Sequence, residues 1–234
     1  MFFQFLVFKV GGKYMRRMSI SIFVTLLLFL LSYGCYKTVS VKEVTPESIE
    51  SLAPGEALIF GRMRMIDNGK EKGNYISETE QLDIMLIRIE DEQALAVKRV
   101  RPDGTFLWKV PRGTYLLTRL RWWEFRGWFP MRPQVAFQVG NDAEAYFLGT
   151  LRIDAEIERS ALSVKIKRFT IAVADEYGQD VQILTRQIPS FQGGIEKALM
   201  VHDARIPVVT ESEVKQSTFT NILRSLGFGL MAVY

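Results

Sequence analysis

Hydrophobic and polar residues alternate along much of the chain between Glu56 and Ala174. This period of two is typical of β-strands that bury one face. In the first run, Leu58 and Phe60 fall on one side and Ile59 and Met63 on the other. The alternation predicts seven to eight strands, at Glu56–Ile66, Leu82–Glu90, Ala94–Val100, Phe106–Val110, Thr114–Trp123, Gln134–Val139, Glu144–Ile153 and Leu162–Ala174. Turn signals at the spacing of about 8–12 residues favour a mainly β, antiparallel sandwich.

The last predicted strand changes phase. Val164 and Ile166 alternate with polar residues, and the pattern then shifts near Phe169. An extra residue in one strand of an antiparallel pair produces such a shift. We therefore expect a β-bulge in this strand.

The segment 103–117 combines two turns with two strands. Asp103-Gly104 is a turn signal, and Phe106, Trp108 and Val110 alternate with Leu107 and Lys109. Pro111-Arg112-Gly113 interrupts this strand, because proline offers no N–H and glycine accepts positive φ. Tyr115 begins the next run. The segment predicts a strand–turn–strand unit, with Trp108 in the core and Tyr115 at its corner.

This pattern resembles the D-G-x-F-x-F-x-x-L-P-P-G-x-Y-x-L signature of transthyretin-like and carboxypeptidase-regulatory-like β-sandwich domains. Arg112 stands where the second proline is usual. The resemblance covers about 54–174, and it implies a transthyretin-like or Ig-like sandwich. In most such modules the sandwich stabilises or binds, so the resemblance also implies a non-catalytic domain.

The region after Ala174 changes character. Asp175 can cap a helix ending near Gln187, where Pro189 follows. Ile195–Met200 reads as a short amphipathic turn of helix. Phe219, Ile222, Leu223 and Leu226 fall at helical spacing before Gly227. We predict that 175–234 is a helical and irregular extension that packs on the sandwich domain, 54–174.

The N-terminal 35 residues are typical of a signal peptide. Arg16-Arg17 precede the apolar run Ile20–Leu31. As a helix this run spans about 20 Å, less than the ~30 Å of a bilayer's hydrocarbon core, which favours a signal helix over a permanent span. Met15 or Met18 gives a more ordinary signal length than Met1, so we expect the start at one of them.

Cys35 is the only cysteine, so it cannot form an internal disulfide. Gly34-Cys35 after an apolar run resembles the lipobox of bacterial lipoproteins, although Leu31 and Ser32 lie one residue too far away. The resemblance implies that Cys35 carries a diacylglyceryl group and becomes the new N-terminus. The alternative is an uncleaved anchor or plain secretion. Tyr36 resembles the outer-membrane sorting pattern, and 36–53 then forms a tether to the domain.

The formal charge of +4 does not indicate nucleic-acid binding. Residues 1–35 contain four basic residues and no acidic one, so 26 basic residues remain against 26 acidic ones. A neutral mature chain offers no general phosphate-binding field. The expected partners are a membrane, through the lipid, and an envelope protein or glycan, on the periplasmic or surface side.

Catalytic motifs are scarce. His202 is the only histidine, and the chain has no HExxH, GxSxG, P-loop or CxxC sequence. Asp67-Asn68-Gly69 lacks the spacing of a calcium loop. We expect no enzyme activity, no metal and no cofactor. The alternative is an envelope hydrolase that uses carboxylates within 67–92, since paired acids suffice for some hydrolyses.

One segment has a composition that is unusual for a strand of a β-sandwich. Arg121–Arg132 holds three of the four tryptophans, and Gly127 and Pro130 suggest a hairpin tip or loop. In an extended strand, successive side chains point to opposite faces of the sheet, so the aromatic side chains of this segment cannot all face one core. Either the C-terminal helices cover it, or it binds a protein or glycan, or it contacts the membrane. The candidate binding residues are Trp122, Trp123, Phe125, Arg126, Trp128 and Phe129.

Overall fold

A computed structural model describes residues 39–41, 44, 52–72, 81–97, 100–124, 127–160, 163–210 and 213–229. The predicted signal peptide, Cys35, Phe125 and Arg126 lie outside these residues.

The described part of the chain is mainly β, with thirteen strands and two helices. Eleven strands precede the first helix: β1 Val39–Ser40, β2 Glu56–Asp67, β3 Lys70–Glu71, β4 Gln81–Arg88, β5 Gln93–Val97, β6 Thr105–Pro111, β7 Gly113–Glu124, β8 Gly127–Met131, β9 Val135–Val139, β10 Ala145–Arg159 and β11 Val164–Ala174. The remaining elements are α1 Tyr177–Gln187, β12 Ile195–Lys197, β13 Val201–His202 and α2 Gln216–Ser225.

The strands form two sheets. The first sheet has the order β1-β5-β4-β7-β9-β13, and β8 pairs with the distal half of β7. The second sheet has the order β11-β10-β2-β6, with β12 beside the start of β10 and β3 beside the end of β2. Most pairs are antiparallel. The central pair of the second sheet, β2 with β10, is parallel.

Each of the eight predicted strands has a counterpart in this structure. Alternation in β2 follows the predicted pattern: Ile59 and Met63 belong to the main core cluster, whereas Leu58 and Phe60 belong to a cluster on the opposite face. The main core cluster contains side chains from both sheets, among them Leu86 of the first. Burying each large apolar side chain contributes about 1.5–3 kcal/mol of stabilising free energy to this arrangement.

The 103–117 segment forms the predicted strand–turn–strand unit as β6 and β7. Asp103 Oδ1 accepts hydrogen bonds from the backbone N–H and the hydroxyl of Thr105, at 3.0 and 2.7 Å, and Gly104 adopts φ 80°. Trp108 is buried in the main core. The Tyr115 hydroxyl donates a hydrogen bond to the carbonyl of Pro111. Tyr115 is thus the corner residue that ties β7 to the end of β6.

The bulge lies near the predicted position. Glu156 of β10 pairs with Arg168, but the next residue, Ile157, pairs with Ile166. Lys167 is therefore the extra residue on β11. This insertion keeps both Ile166 and Phe169 packed against the main core.

Each helix covers an outer sheet face. On the second sheet, Leu184 and Ile188 pack with Phe60 and Phe147. On the first sheet, Phe219 and Leu223 of α2 form a further cluster, packing with Ile87, Leu116 and Ala136. The chain between 188 and 216 adds β12 and β13, so the expected helical turn at 195–200 is wrong.

Two parts of the predicted tether belong to the folded domain. Val39–Ser40 pairs in parallel with β5. Val41 packs against the main core, and Val44 is buried in the cluster beneath α1. The domain therefore begins earlier in the chain than Pro54.

Candidate functional site

The aromatic segment predicted from the sequence is a β-hairpin of β7 and β8. The register pairs Trp122 with Phe129 and Trp123 with Trp128. Trp122 is fully buried and Phe129 is 7% exposed, both within the main core. Because opposite residues of an antiparallel pair share a face, the hairpin turns both of these aromatics inward. In this structure neither offers surface to a partner.

This burial does not test the binding role of the other four predicted residues, Trp123, Phe125, Arg126 and Trp128. Trp123 and Trp128 are placed only by their backbone register, and their side chains lie outside the description. Phe125 and Arg126 lie between them, outside the described residues. Binding through this hairpin therefore remains a prediction that rests on these four positions.

A second candidate site, which the sequence reasoning missed, is a cleft between helix α1 and the second sheet. We call it the α1 cleft. Its volume is about 340 Å³. The sheet side is lined by Arg62, Asp103 and Thr105. The helix side is lined by Gly178, Gln179, Gln182, Ile183, Arg186 and Gln187. Its size is at the lower end of the ~300–1,000 Å³ range of small-molecule pockets.

One buried carboxylate holds the helix beside the cleft. Asp180, in the first turn of α1, is 1% exposed. Its Oδ1 accepts a hydrogen bond from Arg62 Nε at 3.1 Å and forms an ion pair with Arg62 Nη2 at 2.9 Å. Its Oδ2 lies 3.0 Å from the hydroxyl of Thr150 on β10. These contacts compensate the burial of the charge and attach α1 to both central strands of the second sheet.

A second arginine extends the network along β2. Arg64 contacts Glu71 through Nε at 2.7 Å and Nη2 at 2.6 Å, and it contacts Glu176 through Nη1 at 3.2 Å. Glu176 also lies 2.8 Å from the Thr150 hydroxyl. The hydrogen bonds from Arg64 lower the pKa of Glu71 below its usual value. Glu71 is therefore an ionised partner of Arg64.

The remaining cleft walls carry polar groups with free capacity. Arg186 donates from Nη2 to Gln182 Oε1 at 2.9 Å. Asp103 uses only Oδ1 in its turn with Thr105. Gln187 Oε1 is buried and has no hydrogen-bond partner among the described residues. Because the Gln187 oxygen is buried, the free acceptor that the cleft offers to a ligand is Asp103 Oδ2.

Metal and histidine chemistry have little support around these sites. Within the described ranges, no group of three or more His, Cys, Asp or Glu residues is arranged to hold a metal ion. His202 lies in the short strand β13, paired with Val135 and exposed. The α1 cleft thus offers guanidinium, carboxylate and amide groups for binding.

The sequence contains two signals of the α1 cleft, but they do not identify which residues contact each other. Arg62 and Arg64 alternate on the same side of β2 as Leu58 and Phe60, so an outer face changes from apolar to charged along one strand. Asp180 lies on the buried face of an amphipathic helix. Both features indicate a charged contact, but the sequence does not show which arginine meets which acid.

The comparisons with known proteins give no relatives. No protein-family model, no curated protein and no solved structure matches this chain. Across the residues that the structure describes, no helix is both long enough and apolar enough to span a bilayer.

Proposed function

We propose that this chain is a lipid-anchored β-sandwich module of the cell envelope, which binds a partner or ligand and performs no catalytic step. The anchor rests on the sequence: Arg16-Arg17, the apolar run Ile20–Leu31 and the Gly34-Cys35 pair. A diacylglyceryl group supplies two acyl chains, which suffices for stable membrane attachment.

The two-sheet arrangement supports the sandwich. Both sheets contribute one face to the same core cluster, and the opposite faces are covered by α1 and α2. The motif that resembles transthyretin-like domains forms β6 and β7, the strands that connect the second sheet to the first. Proline and glycine at 111 and 113 lie where the chain changes sheet.

The observation that carries the binding function is the α1 cleft. It has the volume of a ligand pocket, and the carboxylates beside it are held in ion pairs with arginines. Both oxygens of Asp180 are already engaged, Oδ1 by Arg62 and Oδ2 by the Thr150 hydroxyl. Asp180 is therefore better suited to holding the cleft in place than to acid–base chemistry on a ligand.

The alternative of a hydrolase within 67–92 finds less support. Asp67 pairs with Arg159 at 2.6 Å, and Asp83 pairs with Arg121 at 2.6 Å. Glu90 accepts the backbone N–H of Thr114 at 2.9 Å. Glu71, Asp91 and Glu92 contact Arg64, Arg88 and Lys215. Each described acid of this region has a structural partner, and Glu78 and Glu80 lie outside the description.

Burial bears on the membrane alternative for the aromatic hairpin. Trp122 and Phe129 both lie in the main core, so neither offers its side chain to a membrane surface. Contact through the hairpin therefore rests on Trp123, Phe125, Arg126 and Trp128. Because tryptophan and arginine are common at protein interfaces, we propose a protein or glycan partner for these four positions.

Metabolic labelling with a palmitate analogue tests the anchor. The wild-type chain is expected to incorporate the label, and the Cys35→Ser variant is expected to lose it. A chain with an exposed serine replaced elsewhere, Ser163→Ala, serves as the matched control and keeps the label. Label that persists in Cys35→Ser contradicts the lipoprotein proposal.

A further inference from the structure

The α1 cleft has open space beside its helix. Gly178 lines it, and a Cβ built at Gly178 would have no heavy atom within 4 Å. The helix stripe formed by Gln179, Gln182 and Arg186 continues the same wall. A small ligand therefore meets amide and guanidinium groups without any rearrangement of the backbone.

Two arginines give the cleft a preference for a carboxylate. Arg62 is fixed by Asp180 through Nε and Nη2, and its Nη1 has no partner among the described residues. Its side chain is 31% exposed. Arg186 uses Nη2 for Gln182, so its other N–H groups are free within the described structure. Guanidinium groups bind carboxylates through paired hydrogen bonds.

Asp103 gives the cleft an acceptor that a carboxylate ligand cannot satisfy. Its Oδ2 takes no part in the turn with Thr105, and the residue is exposed. A ligand hydroxyl can donate to this oxygen. A ligand that carries hydroxyls as well as an acid therefore matches both the arginines and Asp103.

The local charge limits the ligand to a small negative charge. Asp180 pairs with Arg62, and Asp103 adds one negative charge to the lining that contains Arg186. A polyphosphate would be repelled by Asp103 and would leave Asp103 Oδ2 without a donor. One carboxylate with several hydroxyls matches both the charge and the hydrogen-bonding groups.

We propose that the α1 cleft binds a hydroxyl-rich carboxylate of the acidic-sugar class, with Arg62 and Arg186 on the acid and Asp103 on a hydroxyl. This inference rests on the proposed binding function but not on the lipid anchor.

Isothermal titration of the full chain in detergent tests the proposal, with D-glucuronate, D-glucose and inorganic phosphate as probes. Glucuronate is expected to bind, and glucose and phosphate at least tenfold more weakly. Gly178→Leu places a side chain in the cleft and abolishes binding. Arg186→Gln weakens it at least tenfold.

Matched controls use the same substitutions elsewhere. Gly194→Leu changes a glycine whose Cβ would meet nothing closer than 3.9 Å, and Arg168→Gln changes an arginine with a side chain 81% exposed. Both are expected to bind glucuronate as the wild type does. Leucine is a better helix former than glycine, so Gly178→Leu should fold, and circular dichroism checks this.

Three results would overturn the inference: no glucuronate binding by the wild type, unchanged binding in Gly178→Leu and Arg186→Gln, or phosphate binding as tight as glucuronate. None of them alters palmitate labelling of Cys35. Failure of the ligand class is therefore distinguishable from failure of the anchor.

Discussion

Arg62 and Asp180 join strand β2 to helix α1 across 118 positions of sequence. The carboxylate is 1% exposed, and its Oδ1 lies within 3.1 Å of two nitrogens of the Arg62 guanidinium. Because α1 forms one wall of the cleft, this pair sets the distance between helix and sheet. The pair is thus a positioning contact for the candidate site.

Removing Asp180 should destabilise the domain. Breaking a fully buried pair costs about 3–5 kcal/mol, and we expect about 2–3 kcal/mol for Asp180→Ala because Arg62 is partly exposed. Urea unfolding measures the change. The double variant Arg62→Leu/Asp180→Leu should recover part of the loss, since an apolar pair leaves no buried charge. If Asp180→Ala is as stable as the wild type, the pair does not hold α1 on the sheet.

Trp122→Ala should be among the most destabilising substitutions. The side chain is fully buried between the sheets, and truncation of a large aromatic core residue costs about 3–5 kcal/mol. Thermal unfolding checks this, with the exposed Lys165→Ala as control. A change below about 0.5 kcal/mol, the level typical of surface sites, would place Trp122 outside the core.

Tyr115→Phe removes the hydrogen bond to Pro111 and should cost about 1 kcal/mol near neutral pH. Burial raises the pKa of Tyr115, so the folded state keeps the proton that an unfolded tyrosine loses near ~10. The raised pKa therefore lowers wild-type stability as pH rises above 10, and phenylalanine lacks this effect. Urea unfolding should show that the difference in unfolding free energy between wild type and Tyr115→Phe is smaller at pH 11 than at pH 8. An advantage that grows with pH would contradict this sign.

The aromatic hairpin should not enter the membrane. The lipidated chain in vesicles of brominated lipid is expected to keep its tryptophan fluorescence, because Trp108 and Trp122 are buried in the main core. Vesicles without bromine provide the reference. Strong quenching that disappears in Trp123→Phe/Trp128→Phe would establish membrane contact instead.

The long strands were predictable because each has enough residues to show a period. β2 has twelve residues and β10 has fifteen, and each alternates in part of its length, as Met63 and Met65 alternate with Arg62 and Arg64. The short strands were not predictable. β1, β3 and β13 have two residues each and β12 has three, too few for a pattern. Their strand geometry comes from pairing with a neighbour, as Ile195 pairs with Ala145.

The sites were less predictable than the fold. The sequence shows three tryptophans close together, but hairpin register decides that Trp122 faces the core beside Phe129. The α1 cleft depends on contacts between β2, β10 and α1, and no local pattern connects Thr150 with Asp180. Tertiary pairing thus determines which polar groups line the cleft.

Intact mass spectrometry of the chain purified from its host membrane tests the lipid anchor on Cys35. A lipoprotein is expected to give a polypeptide that begins at Cys35 and carries the added mass of a diacylglyceryl group. A mass that includes the residues before Cys35, or an unmodified cysteine, would contradict it.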